Sequence, residues 1–167
     1  MTVIQKTDIV DLDTRIILSY GAKYTPNRFA RHRVETNLKI AELALPVLRD
    51  TLDLPEKLWT RIAFLKARNL NGRYWDYCTA AEVDGRLDAA FFLQVLCHEL
   101  VHAEQYKTGR LSWKAHGRKN VNYWDGVPVI TEYRKQPWEI EAFARQEKLA
   151  DYVATKVPGI YDILAVG

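Results

Sequence analysis

Between Asn27 and Asp53, the apolar residues Val34, Leu38, Ala41, Leu45, Leu48 and Leu52 recur at spacings of three and four. That period puts them on one face of an amphipathic helix, and Pro46 within it is expected to kink or divide that helix. Upstream, Asp11–Tyr20 suits a short strand or a helical turn, with Gly21 and Pro26 interrupting anything longer. Trp59–Ala67 reads as a strand. Asn71-Gly72 then predicts a tight hairpin turn, and the aromatic-rich Tyr74–Thr79 the return strand. Ala81-Glu82-Val83 predicts a short third strand, ended by Asp84-Gly85.

The clearest element follows. Asp88 is placed to cap a helix running through AAFFLQVLCHELVHAEQYKT to Gly109. After a lysine- and arginine-containing loop, Val121–Tyr133 predicts a hairpin with Asp125-Gly126 at its tip. Pro137 opens a last helix, PWEIEAFARQEKLADYVATK, and Pro158-Gly159 end it. This order predicts an α+β domain with a small, mainly antiparallel sheet, a long central helix and a C-terminal helix.

Composition narrows the class. The 167 residues predict one domain, 1–167, able to bury roughly two-thirds of its unfolded surface without disulfide staples. A hydrophobic fraction of 48% and a charged fraction of 27% exclude disordered and collagen-like chains. A net charge of +3 is too mild to argue nucleic-acid binding by itself. Cys78 and Cys97 make no disulfide framework, and both read as small buried hydrophobes. Acids interrupt the N-terminus where a signal peptide needs an apolar core, and no apolar stretch approaches the ~20 residues of a membrane helix. The expected location is the cytoplasm, that of the host if the chain is phage-encoded, with no membrane partner.

The chemistry lies in His98-Glu99-Leu100-Val101-His102. Histidines four apart stand one turn apart on one face, so both imidazoles reach a single ion, and imidazole suits zinc. Glu99 points about 100° around the helix, where it serves water rather than the metal. The apolar flanks predict a helix buried nearly all round, in which ionisable residues need a reason. A catalytic zinc needs a third protein ligand. Thr108 stands where the extended metzincin pattern has its third histidine, which excludes that class. The candidates are Glu139 and Glu141 on the last helix and His116 in the basic loop. Glu139 shares its helix face with Ala142, Phe143, Gln146, Ala150 and Val153, and points toward the core. Glu141 is about 200° away and suits a solvated pair with Arg145.

HELVHAEQY, the Trp-Asp-Gly hairpin and PWEIEAFA together resemble a family of small metallopeptidases of phages and bacteria. More broadly they resemble the gluzincin pattern of HExxH followed by E-x-x-A on a helix. The resemblance covers about 88–146 and implies a minimal zincin-like domain, with the HExxH helix as active-site helix and the C-terminal helix as ligand helix. It also implies one Zn2+ per chain held by His98, His102 and Glu139, with Ala142 matching the alanine. Many gluzincins carry an aspartate after that alanine; here the residue is Phe143, which leaves any carboxylate supporting a histidine unassigned. His116-Gly117 also resembles the third-ligand histidine of SprT-like proteases, though that family continues into a helix where this chain continues into NVNYWDGVPV.

These readings predict a zinc-dependent peptidase that hydrolyses peptide bonds through a metal-activated water, with Glu99 as general base. Tyr123, Tyr133, Arg134 and His116 are candidate donors to the oxyanion. Ala81-Glu82-Val83 resembles the zincin edge strand that binds extended substrate by strand addition. The alternatives are a DNA-associated SprT-like protease using His116 and a zinc-stabilised interaction module without catalysis. Lys107, Arg110, Lys114, Arg118 and Lys119, with no acid among them, read as a solvated loop able to touch phosphates weakly. Trp113 and Trp124 flank that loop. The oligomeric state and the natural substrate stay open at this stage.

Overall fold

The computed structural model describes residues 16–19, 28–65, 70–117 and 119–166. The elements are β1 (Ile16–Ser19), α1 (Arg28–Thr51), β2 (Trp59–Ala63), β3 (Gly72–Trp75), β4 (Ala80–Asp84), α2 (Ala89–Lys107), β5 (Leu111–His116), β6 (Lys119–Trp124), β7 (Val127–Val129), α3 (Pro137–Lys156) and α4 (Ile160–Val166). The α+β class expected from the sequence is what is found. Most of Asp11–Tyr20, the end of the predicted Trp59–Ala67 strand and Arg118 lie outside the described residues.

α1 runs through Pro46 undivided, because Ala44, Leu45 and Leu48 around it are fully buried and packing holds both halves in line. Val34, Ala41, Leu45 and Leu48 of α1 meet Phe92, Leu93, Leu96 and Leu100 of α2 in one apolar cluster. Ile16, Ile62, Ala81 and Val83 from the strands complete it, with Ala142 and Val153 of α3 and Ile160 of α4. Asp88 caps α2 by accepting from the Phe91 amide at 3.0 Å, and Gly109 just beyond the helix takes a positive φ of 75°. Both signals are those read from the sequence. The short helix α4 after Pro158-Gly159 was not foreseen.

The first sheet has the order β1-β2-β4-β3, with β1, β2 and β4 parallel and β3 antiparallel to β4. The predicted hairpin between the Trp59 strand and the Tyr74 strand does not form, because β4 lies between them. Charge explains the order. Glu82 stands in register with Arg61 on β2 and with Arg73 on β3, and both guanidinium groups bind its buried carboxylate. Such a carboxylate needs a cation on each side, which only a central strand provides. Asp84 ties the same strand to the chain after β2 by accepting from the Leu65 amide at 3.2 Å. The Ala81–Val83 strand is therefore interior, and the edge beside α2 is β3. Tyr77 and Cys78 belong to a 3-10 turn rather than to the return strand, and Cys78 is exposed, contrary to its reading as a buried hydrophobe. Cys97 is fully buried as expected.

The second sheet, β5-β6-β7, is antiparallel. Its β6–β7 turn is the predicted one, with Asp125 and Gly126 at φ 47° and 79°. The segment read as a basic loop is instead largely strand β5, paired with β6 from Leu111↔Trp124 to His116↔Lys119. Ser112-Trp113-Lys114-Ala115 alternates in character along this strand, a period-two signal that the cluster of cations obscured. Lys107 binds Asp53 and the Leu54 carbonyl, while Arg110 binds both oxygens of Glu141 at 3.0 and 2.6 Å. The Lys114 ammonium sits 4.8 Å from the centre of the Tyr123 ring. Among the described residues, no helix is long and apolar enough to cross a membrane.

Candidate metal centre

α2 carries His98, Glu99 and His102 on its buried middle turns, and the first turn of α3 brings Glu139 against them. His98 Nε2 and His102 Nε2 are 3.1 Å apart. Glu139 offers one oxygen to each ring, 3.3 Å from His98 Nε2 and 3.4 Å from His102 Nε2. All three residues are buried, and they form a group close enough to hold a metal ion. His116 is not part of it. It lies at the exposed end of β5, where its Nε2 meets the Tyr123 hydroxyl at 2.8 Å. Glu141 is not part of it either. It pairs with Arg145 at 2.9 Å, the i,i+4 contact expected of its helix face, and with Arg110.

The outer nitrogen of each ring shows what the inner one must be. His102 Nδ1 faces Gln105 Oε1 at 2.8 Å, and His98 Nδ1 faces Gln146 Oε1 at 2.9 Å. An amide oxygen only accepts, so each Nδ1 donates, and each neutral ring turns the lone pair of Nε2 inward. The orientation of Gln105 is fixed, since its Nε2 donates to the Trp138 carbonyl at 3.1 Å. Two imidazole lone pairs and a carboxylate thus converge with no donor among them, and Glu139 Oε2 is buried without a hydrogen-bond partner. Acceptors gathered this way require a positive charge at their centre. Ligands about 2.0–2.2 Å from a tetrahedral ion stand about 3.3–3.5 Å from one another. The two ring nitrogens come close to this at 3.1 Å, and with one oxygen of Glu139 the three ligand atoms lie within 4.8 Å of one another. The residues therefore fit a divalent cation.

The carboxyls respond in opposite senses. Burial pushes Glu99 up to about 7, and the neighbouring charge of Glu139 adds to this, while His102 and His98 pull the other way. In the metal-free chain a proton on the rings takes the place of the cation. Burial at Glu139 is then outweighed by hydrogen bonds from His102 and His98, the Tyr133 hydroxyl adds to them, and the carboxyl falls to about 2. Tyr133 is raised in turn by burial and by its interaction with Glu139. Of the four candidate oxyanion donors, Tyr133 lines the cleft over the cluster, whereas Tyr123 and His116 engage each other on the second sheet.

That cleft has a volume of about 220 Å³, and Glu99, His102 and Glu139 open onto it beside Gly72, Tyr74, Tyr106, Tyr133 and Trp138. Gly72 is there for space. A Cβ at this position would lie 2.6 Å from Glu99 Oε1 and 2.7 Å from Val95 Cγ1, so only glycine lets β3 approach α2 this closely. In the sequence, Asn71-Gly72 has the composition of a turn, and nothing there signals this close approach. Gln105 and Gln146, the supports of the two rings, were not foreseen either. Gln105 carried a usable signal, a polar side chain one turn beyond His102 on a helix otherwise buried. Phe143 has a different role from the aspartate of the gluzincin pattern, its ring standing edge-on to His98 at 4.6 Å.

Compared with models of known families, with curated proteins and with solved structures, the chain matches none.

Proposed function

We propose that this protein is a zinc-dependent peptidase with His98, His102 and Glu139 as metal ligands and Glu99 as general base. The carrying observation is the division of labour between two buried carboxylates. Glu139 faces both ring nitrogens, while Glu99 faces the same cleft and has no place in the ligand set. A purely structural site has no use for the second carboxylate, which burial disfavours. Imidazole and carboxylate donors in this number favour zinc, with the cleft as its open side.

Bound there, zinc supplies the positive charge that activates water and polarises the scissile carbonyl. The chain's residues do the rest. Glu99, which faces the cleft, takes a proton at its carboxylate as water attacks and returns it to the leaving amide nitrogen. Tyr133 lines the same cleft, and its hydroxyl is the donor we assign to the oxyanion. β3 has one edge unpaired among the described residues, and it holds an extended peptide by strand addition, the role first read into Ala81–Val83. Gln105 and Gln146 keep both rings in the tautomer that presents Nε2 inward.

The test is metal content together with turnover. Purified chain should hold one equivalent of zinc, Glu139→Ala should lose it and His116→Ala should keep it. Glu99→Gln should keep zinc and lose cleavage of a peptide library. Zinc lost from His116→Ala but not from Glu139→Ala would move the third ligand to the hairpin and favour the SprT-like alternative.

A further inference from the structure

The outer face of the first sheet, opposite α2, carries a row of charges in register: Arg61 on β2, Glu82 on β4 and Arg73 on β3. Glu82 is the fixed centre of this row. Its side chain is 4% exposed and accepts from Arg61 Nη1 at 3.1 Å, from Trp75 Nε1 at 3.1 Å and from Arg73 Nε. Its acceptor capacity is largely filled. Arg73 is not spent in the same way. It binds Glu82 through Nε alone, its side chain is 40% exposed, and its two terminal nitrogens have no partner among the described residues. The Arg73 guanidinium carbon stands over the Trp75 ring, 4.3 Å from its centre. Arg73, Trp75, Tyr77 and Glu82 line a pocket of about 260 Å³ on this face.

β3 is also the edge strand. Asn71 accepts from the Asp84 amide at 2.8 Å, so residues 71 and 73 turn their backbone groups toward β4. By alternation Gly72 and Tyr74 turn theirs outward, to a strand not yet there. In such a strand, the residue directly opposite Arg73 projects onto the outer face, as Glu82 does from the other side.

We infer that β3 docks an extended peptide carrying Asp or Glu opposite Arg73. The row then reads cation, anion, cation, anion across four strands. This deepens the peptidase reading by naming a substrate class, and it rests on that reading only for the claim that the docked strand is a substrate. The acid's position is set by register rather than by the metal.

Binding of extended peptides that differ at one central position (Glu, Gln or Lys) is measured on the full chain bearing Glu99→Gln, so that the peptide is not consumed. The Glu peptide should bind about fivefold tighter than the Gln peptide at low salt, the Lys peptide weakest, and the spread should shrink as salt rises. Arg73→Gln, whose amide can still donate to Glu82, should abolish the ranking while circular dichroism stays native. Arg73→Glu should reverse it. Equal binding of the three peptides, no binding of any, or a ranking unchanged in folded Arg73→Gln would each overturn the inference. Cleavage by the wild-type chain is scored separately. A chain that cleaves all three peptides equally keeps the peptidase reading and loses this one; a chain that ranks them without cleaving any keeps this one alone.

Discussion

Gly72 lies against Glu99 so closely that a methyl group on its α-carbon would come within 2.6 Å of Oε1. The edge strand and the proposed base are thus set against each other with no side chain between them. Gly72→Ala should lower kcat by about a hundredfold, the scale of an ångström-sized misplacement. KM should change less, and metal content should stay at one equivalent. Steady-state kinetics beside zinc analysis checks this; a parallel loss of zinc and kcat would put the damage in the ligands instead.

Glu99→Gln should cut turnover by about 10²–10⁴, the usual contribution of a positioned base, at unchanged zinc stoichiometry. Turnover within twofold of wild type would remove Glu99 from the chemistry.

The same residue predicts a pH effect on the metal-free chain. Burial raises the Glu99 carboxyl from 4.5 to about 7, so the folded state favours its protonated form. Its contribution is complete below about 4.5 and is lost as pH rises through about 7. Denaturant unfolding of stripped protein should show Glu99→Gln more stable than wild type at pH 8.5, by up to about 3 kcal/mol, and nearly equal at pH 4. Glu139 works in the other direction. Lowered to about 2, it contributes above about 4.5 and loses its contribution as pH falls toward 2.

Gln105 and Gln146 hold the rings through neutral amides. Gln146→Leu should weaken zinc binding about 10–100-fold, and Gln146→Glu should strengthen it by making the imidazole more basic. Gln105→Leu should weaken zinc similarly. It should also cost about 1–3 kcal/mol of stability, because the Trp138 carbonyl loses its buried donor. Competition against a chromophoric chelator reads the first effect and thermal melting the second.

Removing zinc should lower the melting temperature of the wild-type chain, since the ion binds only the folded arrangement of α2 and α3. Glu139→Ala, already unable to hold it, should melt at the same temperature with and without chelator.

The ligand-bearing helices were legible because their signals are local. The HExxH spacing, the Asp88 cap, Gly109 and Pro137 each act within a turn or two of themselves. Separating Glu139 from Glu141 needed only helical geometry, and each side chain lies as that geometry predicts. Strand order was not legible. Asn71-Gly72 has the composition of a hairpin turn, but what decides the pairing is the demand of Glu82 for two arginines on different strands. Such a demand appears only once the strands lie side by side. β5 was hidden for another reason. The cations in and before it look like loop until their partners are known. Lys107 and Arg110 just upstream pair with Asp53 and Glu141, far away in the chain, and Lys114 within the strand sits over the Tyr123 ring.

The two helices that supply the ligands touch directly: Gln105 reaches the Trp138 carbonyl, and Arg145 joins Glu104 to Glu141. The stretch from Ser112 to Val129 is therefore an excursion that leaves α2 and returns to α3, and it meets α3 where Trp124 packs on Trp138 with 6.4 Å between ring centres. Because closure entropy grows only slowly with length, the part of that excursion away from this contact can be shortened or extended at little cost to the two helices. It is the natural seat for diversity in what such a scaffold meets at its rim.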